Sequence, residues 1–209
     1  TTNLANDIAY NDILITMRED LNNHLMSIND LSFLPEPYFL KSGIDDVVEY
    51  SAQNKTLIKK LIETSNLQLK DYDEVSSQIK NSLNDDNPWV RYWGLIVCSS
   101  FGSKAMENKD KINVIFENDS ENLVRMRAAE FMLLNDIELS DSKINSLLKR
   151  SNFEAEANLM LNTLANIKTI NPKYKLNLNK NVFPENWIPP IREENALVNR
   201  RMNYLTENE

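Results

Sequence analysis

The segment from Asn87 to Gly102, NPWVRYWGLIVCSSFG, indicates which fold to expect, because most of its pattern recurs 34 residues later. The later segment, from Glu121 to Asn135, reads ENLVRMRAAEFMLLN. When the two segments are aligned, the Val-Arg pair of the first matches the Val-Arg pair of the second. A small residue of the first also matches a small residue of the second, in each case inside an apolar run. The aligned pairs are Asp85/Asp119, Val90/Val124, Arg91/Arg125, Gly94/Ala128, Leu95/Ala129 and Val97/Phe131. The sequence therefore contains an internal repeat.

Each repeat is predicted to hold two helices. A short apolar segment precedes each of the two aligned segments, with Ile79 and Leu83 before the first and the run from Ile112 to Phe116 before the second. A weaker third copy reads SKINSLLKR at 142–150, followed by NFEAEANLMLNTLANI at 152–167. A period in the thirties with two helices per unit is typical of an α-solenoid, and the motif resembles HEAT-like repeats. We therefore predict an all-α, HEAT-like α-α superhelix.

Two features of the repeat have a physical explanation. The small residues at the aligned positions let neighbouring helices approach closely, while the apolar residues around them fill the space between layers. Arg91 and Arg125 lie in the first turn of their helices, where the helix dipole disfavours a cation. We expect them to pair with acidic turn residues such as Asp85 or Asp119.

Helices are also predicted before the repeats. The first spans Leu4 to Asn29, and two shorter helices follow, one from Asp45 to Tyr50 and one over TLIKKLIETSN at 56–66. The apolar positions of the first helix recur every three or four residues, which gives it one apolar face. They are Ile13, Leu14, Met17, Leu21, Leu25 and Ile28.

A proline-containing connector, LSFLPEPYFL at 31–40, separates the first helix from the next. Pro35 and Pro37 prevent the helix from continuing, and each disfavours helical geometry in the residue before it. We therefore expect Leu34 and Glu36 to be extended.

The last part of the chain is predicted to cover the end of the solenoid. Residues 171–191 contain four prolines, so no helix runs through them. We expect Phe183, Trp187 and Ile188 to lie across the solenoid as a cap, since a solenoid end needs cover. One more short helix follows, with its apolar face at Leu197, Val198, Met202 and Leu205.

Composition excludes several classes of function. The 209 residues are 42% hydrophobic and 26% charged, enough for a folded core. Only three glycines occur, and neither a dinucleotide-binding nor a P-loop fingerprint is present. No apolar run approaches the roughly 18 residues that a membrane span requires. A net charge of −8 opposes binding to nucleic acid. We expect neither a membrane span nor a nucleic-acid partner.

The residues that usually carry catalysis are scarce. The chain has one histidine, His24, and one cysteine, Cys98, so a Ser/His/Asp triad, a zinc site and an internal disulfide are not expected. The acidic pairs Asp45-Asp46 and Asp85-Asp86 are of a kind that is ordinary in turns and at helix starts. We predict no catalytic, cofactor-binding or metal-binding residue in this chain, and a lone enzyme that uses the acidic pairs is the weakest hypothesis.

A family resemblance covers roughly residues 3–170. NLANDIAYNDILITMREDLNNHLMSINDLSFLPEPYFL, at 3–40, resembles the end of the catalytic region in a group of bacterial sulfatases of the alkaline phosphatase superfamily, although Ser32 replaces the usual Gly. In that group a C-terminal helical-repeat region follows, and it contains segments similar to NPWVRYWGLIVCSSFGSKA and SENLVRMRAAEFMLL. The resemblance implies that this chain is the C-terminal part of a formylglycine-dependent sulfatase.

The same resemblance implies that the active site lies upstream. Such sulfatases hydrolyse sulfate esters with a formylglycine made from a Cys/Ser-x-Pro-x-Arg motif, beside a calcium ion held by Asp and by Asn or Gln. Cys98 is followed by Ser-Ser-Phe-Gly, so it does not match that motif. We expect the calcium in the upstream catalytic domain and no cofactor in this chain. A start at Thr1 instead of Met suggests an excerpt or a processed product, and the family suggests a periplasmic or extracellular location.

The resulting hypothesis divides the chain into three parts. Residues 1–40 are the terminal helix and connector of the catalytic part, residues 41–170 are HEAT-like repeats, and residues 171–209 are a capping tail with a short final helix. Their expected role is to pack on the catalytic domain, where they would border a cleft for a sulfated carbohydrate, or to mediate homo-oligomerisation. The alternative is a free-standing HEAT-like scaffold that binds a protein through its concave face.

Three aromatic residues form the candidate interaction surface. Trp89, Tyr92 and Trp93 align with Leu123, Met126 and Arg127 of the next repeat, so the repeat itself does not require three aromatic rings. We expect one or two of them to face a surface outside the repeat, with the catalytic domain as the first candidate.

Overall fold

Helices make up the regular structure of this protein. A computed structural model describes residues 2–171, 175–188 and 196–206, and within these ranges every regular element is an α-helix or a 3-10 turn, with no strand. The predicted all-α class is confirmed. The chain divides into two compact units, residues 1–63 and 64–209. The boundary predicted at residue 40, between the end of a catalytic part and the repeats, stays a prediction.

The first unit holds four helices. They are α1 (Asn11–Ile28), α2 (Glu36–Ser42), α3 (Val47–Gln53) and α4 (Lys55–Ser65), whose last two residues belong to the second unit. The Asp46 carboxylate caps α3 by accepting hydrogen bonds from the backbone N–H groups of Val48 and Glu49, each at 2.9 Å. The Tyr38 and Tyr50 hydroxyls, 3.0 Å apart, connect α2 with α3.

The first helix begins later than its periodicity predicted. The predicted start was Leu4, whereas α1 begins at Asn11, after a 3-10 turn at Ile8–Tyr10. The Asp7 carboxylate caps this turn by accepting a hydrogen bond from the Ala9 N–H, which provides an alternative to an α-helical start. The helix ends at Asn29, whose left-handed backbone (φ 49°) is a common helix terminator.

The connector was predicted to be extended through Glu36, and this is wrong. Leu34 is extended as expected, but α2 already starts at Glu36. Pro37 lies in the first turn of α2, where a backbone N–H has no acceptor within the helix, so its missing N–H costs no hydrogen bond. The proline therefore begins a helix instead of preventing one.

The second unit is built from the predicted repeats. It holds α5 (Tyr72–Leu83), α6 (Pro88–Phe101), α7 (Lys109–Asn118), α8 (Asn122–Leu134), α9 (Asp141–Lys149), α10 (Glu154–Ile170) and α11 (Leu197–Thr206). Helix α5 packs on α6, and α7 packs on α8. The second helices form a layer of their own, in which α6 contacts α8, α8 contacts α10, and α10 contacts α11. This arrangement is that of a short α-solenoid.

The predicted small residues lie where helices approach closely. Gly94, Ala128 and Ala129 are all buried. At Gly94 a β-carbon would lie only 2.3 Å from the Ser82 Oγ and 3.1 Å from the Ser82 β-carbon, so α5 and α6 touch at this point.

The tail lies across α9. Leu176, Leu178 and Phe183 are buried, while Trp187 and Ile188 are half-buried. The Asn145 side chain of α9 donates a hydrogen bond to the Asn177 carbonyl (2.9 Å) and accepts one from the Asn179 N–H (2.8 Å). These two bonds fix the backbone of the tail on the helix. Pro172, Pro189 and Pro190 lie outside the described residues.

The last helix buries three of its four predicted apolar residues. Val198, Met202 and Leu205, at i, i+4 and i+7, are buried in α11, while Leu197 is 47% exposed. Leu197 precedes this stripe by one residue, about 100° around the helix, which places it outside the buried face.

The contact at Gly94 yields a test by substitution. Gly94→Ala would normally favour a helix by up to about 1 kcal/mol, but here we expect it to lower the free energy of unfolding by about 1–3 kcal/mol, because Ser82 occupies the space. Denaturant unfolding measures the change. Ser100→Ala, at an exposed position of α6, is the control and should have little effect. A more stable Gly94→Ala protein would contradict the close contact.

Candidate functional site

Helix α6 presents the three candidate aromatic residues in unequal ways. Trp89 and Tyr92 are buried, at 5% and 7% exposure, whereas Trp93 is half-buried. The rings follow one another edge to face, with 6.3 Å between the centroids of Trp89 and Tyr92 and 6.3 Å between those of Tyr92 and Trp93. Of the predicted surface, Trp93 is the member that keeps substantial accessible area.

Tyr92 has a structural contact that sequence reasoning missed. Arg127, in α8, donates a hydrogen bond from Nη2 to the Tyr92 hydroxyl oxygen (2.8 Å) and another from Nη1 to the Glu130 carboxylate (2.8 Å). Burial disfavours the charge of Arg127, but Tyr92 and Glu130 outweigh that effect, so the pKa of Arg127 is raised. The signal in the sequence was the i, i+3 spacing of Arg127 and Glu130. Tyr92 therefore connects two consecutive repeats.

A second connection between the repeats is an ion pair. Arg91 donates from Nε (2.7 Å) and Nη2 (2.9 Å) to the two carboxylate oxygens of Asp119, which is 3% exposed. Its Nη1 donates to the backbone carbonyls of Asp85 (2.8 Å) and Asp86 (3.0 Å). The predicted partner Asp119 is therefore correct, whereas Asp85 contributes its carbonyl and not its carboxylate.

The aligned arginine, Arg125, has a different environment. Its Nε donates to the Phe116 carbonyl at 2.6 Å, and its guanidinium lies 5.8 Å from the centre of the Phe116 ring. Among the described residues it forms no ion pair like that of Arg91, although the Glu117 and Asp119 carboxylates lie near enough to favour its charge. The expected partner Asp119 therefore acts on Arg125 through electrostatic attraction and not through an ion pair.

The scarce catalytic residue types lie in different units of the chain. His24 is exposed on α1 in the first unit, whereas Cys98 is fully buried in α6 in the second. Burial raises the pKa of the Cys98 thiol to about 12, so its thiolate, the nucleophilic form, is scarce at neutral pH. Within the described ranges no three His, Cys, Asp or Glu side chains are grouped as a metal site would need.

The acidic pairs serve the helix starts. Asp46 caps α3, and the Asp85 carboxylate accepts a hydrogen bond from the Asn87 N–H (3.0 Å). Asn87 in turn caps α6 by accepting from the Trp89 N–H (2.9 Å). These contacts give one carboxylate of each acidic pair a structural role.

Helix α1 exposes an apolar face, since it has no buried residue although it is 18 residues long. Four side chains of its predicted apolar face are more than half exposed and form what we term the α1 stripe. They are Ile13 (55%), Met17 (65%), Leu21 (57%) and Ile28 (51%). No helix among the described residues has the length and hydrophobicity that crossing a bilayer would take. The α1 stripe is therefore the candidate interaction surface of the first unit.

Comparison of the chain with protein families, with curated proteins and with solved structures finds no match.

The Arg91–Asp119 pair yields a second prediction. Asp119→Ala leaves a largely buried guanidinium without its counter-ion, and we expect a loss of about 3 kcal/mol in the free energy of unfolding. Lys80→Ala is the control, because Lys80 and its partner Glu107 are 51% and 44% exposed and such pairs contribute less than about 1 kcal/mol. Equal losses in urea unfolding would show that the Asp119 pair does not stabilise the repeats.

Proposed function

We propose that this chain is a non-catalytic helical-repeat region of a sulfatase and that it packs on the catalytic domain through the α1 stripe. The observation that carries the proposal is the exposure of Ile13, Met17, Leu21 and Ile28 along one helix. The stripe lies within residues 3–40, the part that resembles the end of a sulfatase catalytic region. The resemblance and the exposed surface thus concern the same residues.

The energetics favour a covered α1. Most helical stability in proteins comes from packing of an apolar face, and α1 has no such packing among the described residues. Each apolar side chain of the stripe contributes roughly 1.5–3 kcal/mol when it is fully buried. Contact with another domain would therefore stabilise both α1 and the assembly.

A protein partner fits α1 better than a lipid surface. Helices that lie on membranes usually carry Lys and Arg on their polar face. In α1 the acidic residues Asp12, Glu19 and Asp20 outnumber the single basic residue Arg18. This balance opposes binding to an anionic bilayer and leaves the apolar stripe to a protein surface.

The catalytic chemistry in this proposal belongs to the upstream domain. The formylglycine, the calcium ion and the site for a sulfated carbohydrate would all lie there, and the present chain would shape access to that site. The alternatives are homo-oligomerisation through the α1 stripe and a free-standing HEAT-like scaffold. Only the free-standing scaffold would leave the chain without a sulfatase domain.

The coding sequence upstream of Thr1 separates these alternatives. The proposal expects a Cys/Ser-x-Pro-x-Arg motif in the same reading frame and no hydrolysis of an aryl sulfate by residues 1–209 alone. An initiator codon close to Thr1 with no such motif would contradict the sulfatase, and turnover by the isolated chain would contradict the non-catalytic role.

Two variants with the same charge change test the contact itself. Leu21→Glu places a carboxylate in the stripe, whereas Asn23→Glu places one at an exposed position outside it. In the polypeptide that includes the upstream domain, we expect Leu21→Glu to lower the melting temperature and Asn23→Glu to leave it nearly unchanged. In the isolated chain both should change stability by less than about 0.5 kcal/mol, because both sites are exposed.

Each outcome has a distinct meaning. Equal melting temperatures for the two variants in the longer polypeptide would refute the contact through α1. Light scattering of the isolated chain identifies self-association, which Leu21→Glu would abolish if the stripe joined two copies.

A further inference from the structure

The third repeat lacks the carboxylate that the first two share. Arg91 is neutralised by Asp119, which lies in the turn that precedes α8. The corresponding turn before α10 consists of Ser151, Asn152 and Phe153, and none of the three is acidic. Arg125 therefore has the position of Arg91 in the repeat without the acidic residue that would complete it.

A cavity of about 230 Å³ opens beside Arg125, between the end of α7, the start of α8 and α9. Its polar lining comprises Glu117, Arg125, Ser142, Lys143, Ser146 and Arg150. A water molecule in the liquid takes up about 30 Å³, so the cavity has room for a small polyatomic ion with some of its hydration.

The charge of this lining is positive in an otherwise acidic protein. Three cationic side chains face one carboxylate, and the chain as a whole carries a net charge of −8. Lys143 pairs with Glu117, which leaves the two arginines. Within the described ranges, neither Arg125 nor Arg150 forms an ion pair.

The two arginines are held in place and keep donors available. The Arg125 Nε is fixed by the Phe116 carbonyl (2.6 Å), and the Arg150 Nε donates to the Asn122 side-chain oxygen (3.2 Å). Among the described residues the Nη groups of both have no acceptor. Burial, followed by the positive charge of Arg150, lowers the pKa of Arg125, although the Glu117 and Asp119 carboxylates act in the opposite direction. A bound anion would offset the repulsion between the two guanidinium groups.

We propose that Arg125 and Arg150 form a binding site for a divalent oxyanion, a sulfate or phosphate group, in the place of the missing carboxylate. The planar guanidinium presents paired N–H donors that match the oxygens of such groups, and charge-assisted hydrogen bonds of this kind are among the strongest in proteins. The Ser142 and Ser146 hydroxyls line the same cavity and supply further donors. The site lies in the second unit, and it does not depend on α1 or on the sulfatase proposal.

Isothermal titration of the chain with sodium sulfate and with sodium phosphate, at constant ionic strength set by chloride, tests this site. We expect saturable binding of one anion per chain. Arg150→Gln should weaken it at least about tenfold, because it removes charge-assisted hydrogen bonds. Lys149→Gln makes the same charge change at the adjacent exposed residue, outside the cavity, and should leave the affinity unchanged.

Arg125→Lys keeps the charge but removes the paired donors, so we expect it to weaken binding as well. Circular dichroism of each variant shows whether the fold is intact. The ratio of sulfate to phosphate affinity identifies the preferred ion. The absence of saturable binding of either ion to the unmodified chain would overturn the proposal, and so would an equal loss in Lys149→Gln and Arg150→Gln.

Discussion

A buried ion pair between Arg91 and Asp119 holds consecutive repeats of the second unit together. The two residues are 28 positions apart, and the pair connects the start of α6 with the turn before α8. Burial of a charge is costly unless it is paired and hydrogen-bonded, and here two carboxylate oxygens and two backbone carbonyls satisfy the guanidinium. The geometry therefore fixes where one repeat lies on the next. The contact between Gly94 and Ser82 then sets the spacing of the two helices within a repeat.

The same constraint explains why the third repeat differs. Arg125 retains the sequence position and the first-turn location of Arg91, but the turn before α10 offers it no acidic residue and places a second cation, Arg150, nearby. In the proposed anion site, the cation that is structural in one repeat binds a ligand in the next. In a repeat protein, a substitution that removes the carboxylate from one repeat leaves the arginine of the neighbouring repeat in place without a counter-ion. Such an arginine can then form part of an anion-binding site.

Much of the second unit could be predicted from the sequence, because the residues that define its helices lie close together in the chain and recur from one repeat to the next. The Val-Arg motif, the small residues and the helix periods all lie within a few residues of one another. The burial of Tyr92 could not be predicted in this way, since it depends on Arg127, which is 35 residues away. The aromatic residues were interpreted as surplus surface, whereas Tyr92 completes a contact between repeats.

The errors in the first unit have a different cause, namely competition between local structures. The apolar period predicts that the first helix includes the residues after Asp7, but the Asp7 carboxylate stabilises a 3-10 turn there. Pro37 lies in the first turn of α2, where a proline can start a helix, whereas a proline in the interior of a helix would end it. Both outcomes depend on small differences in where a helix starts. The amphipathic face of α1 was predicted correctly as a pattern, but its exposure is visible only in the structure.

The proposal that α1 packs on an upstream domain is tested most directly by hydrogen exchange. We predict that amides of Asn11–Ile28 exchange much faster than those of α6 in the isolated chain, because α1 buries no side chain. In the polypeptide that includes the upstream sequence, α1 should become protected while α6 is unchanged. Equal protection of α1 in the two proteins would contradict the account.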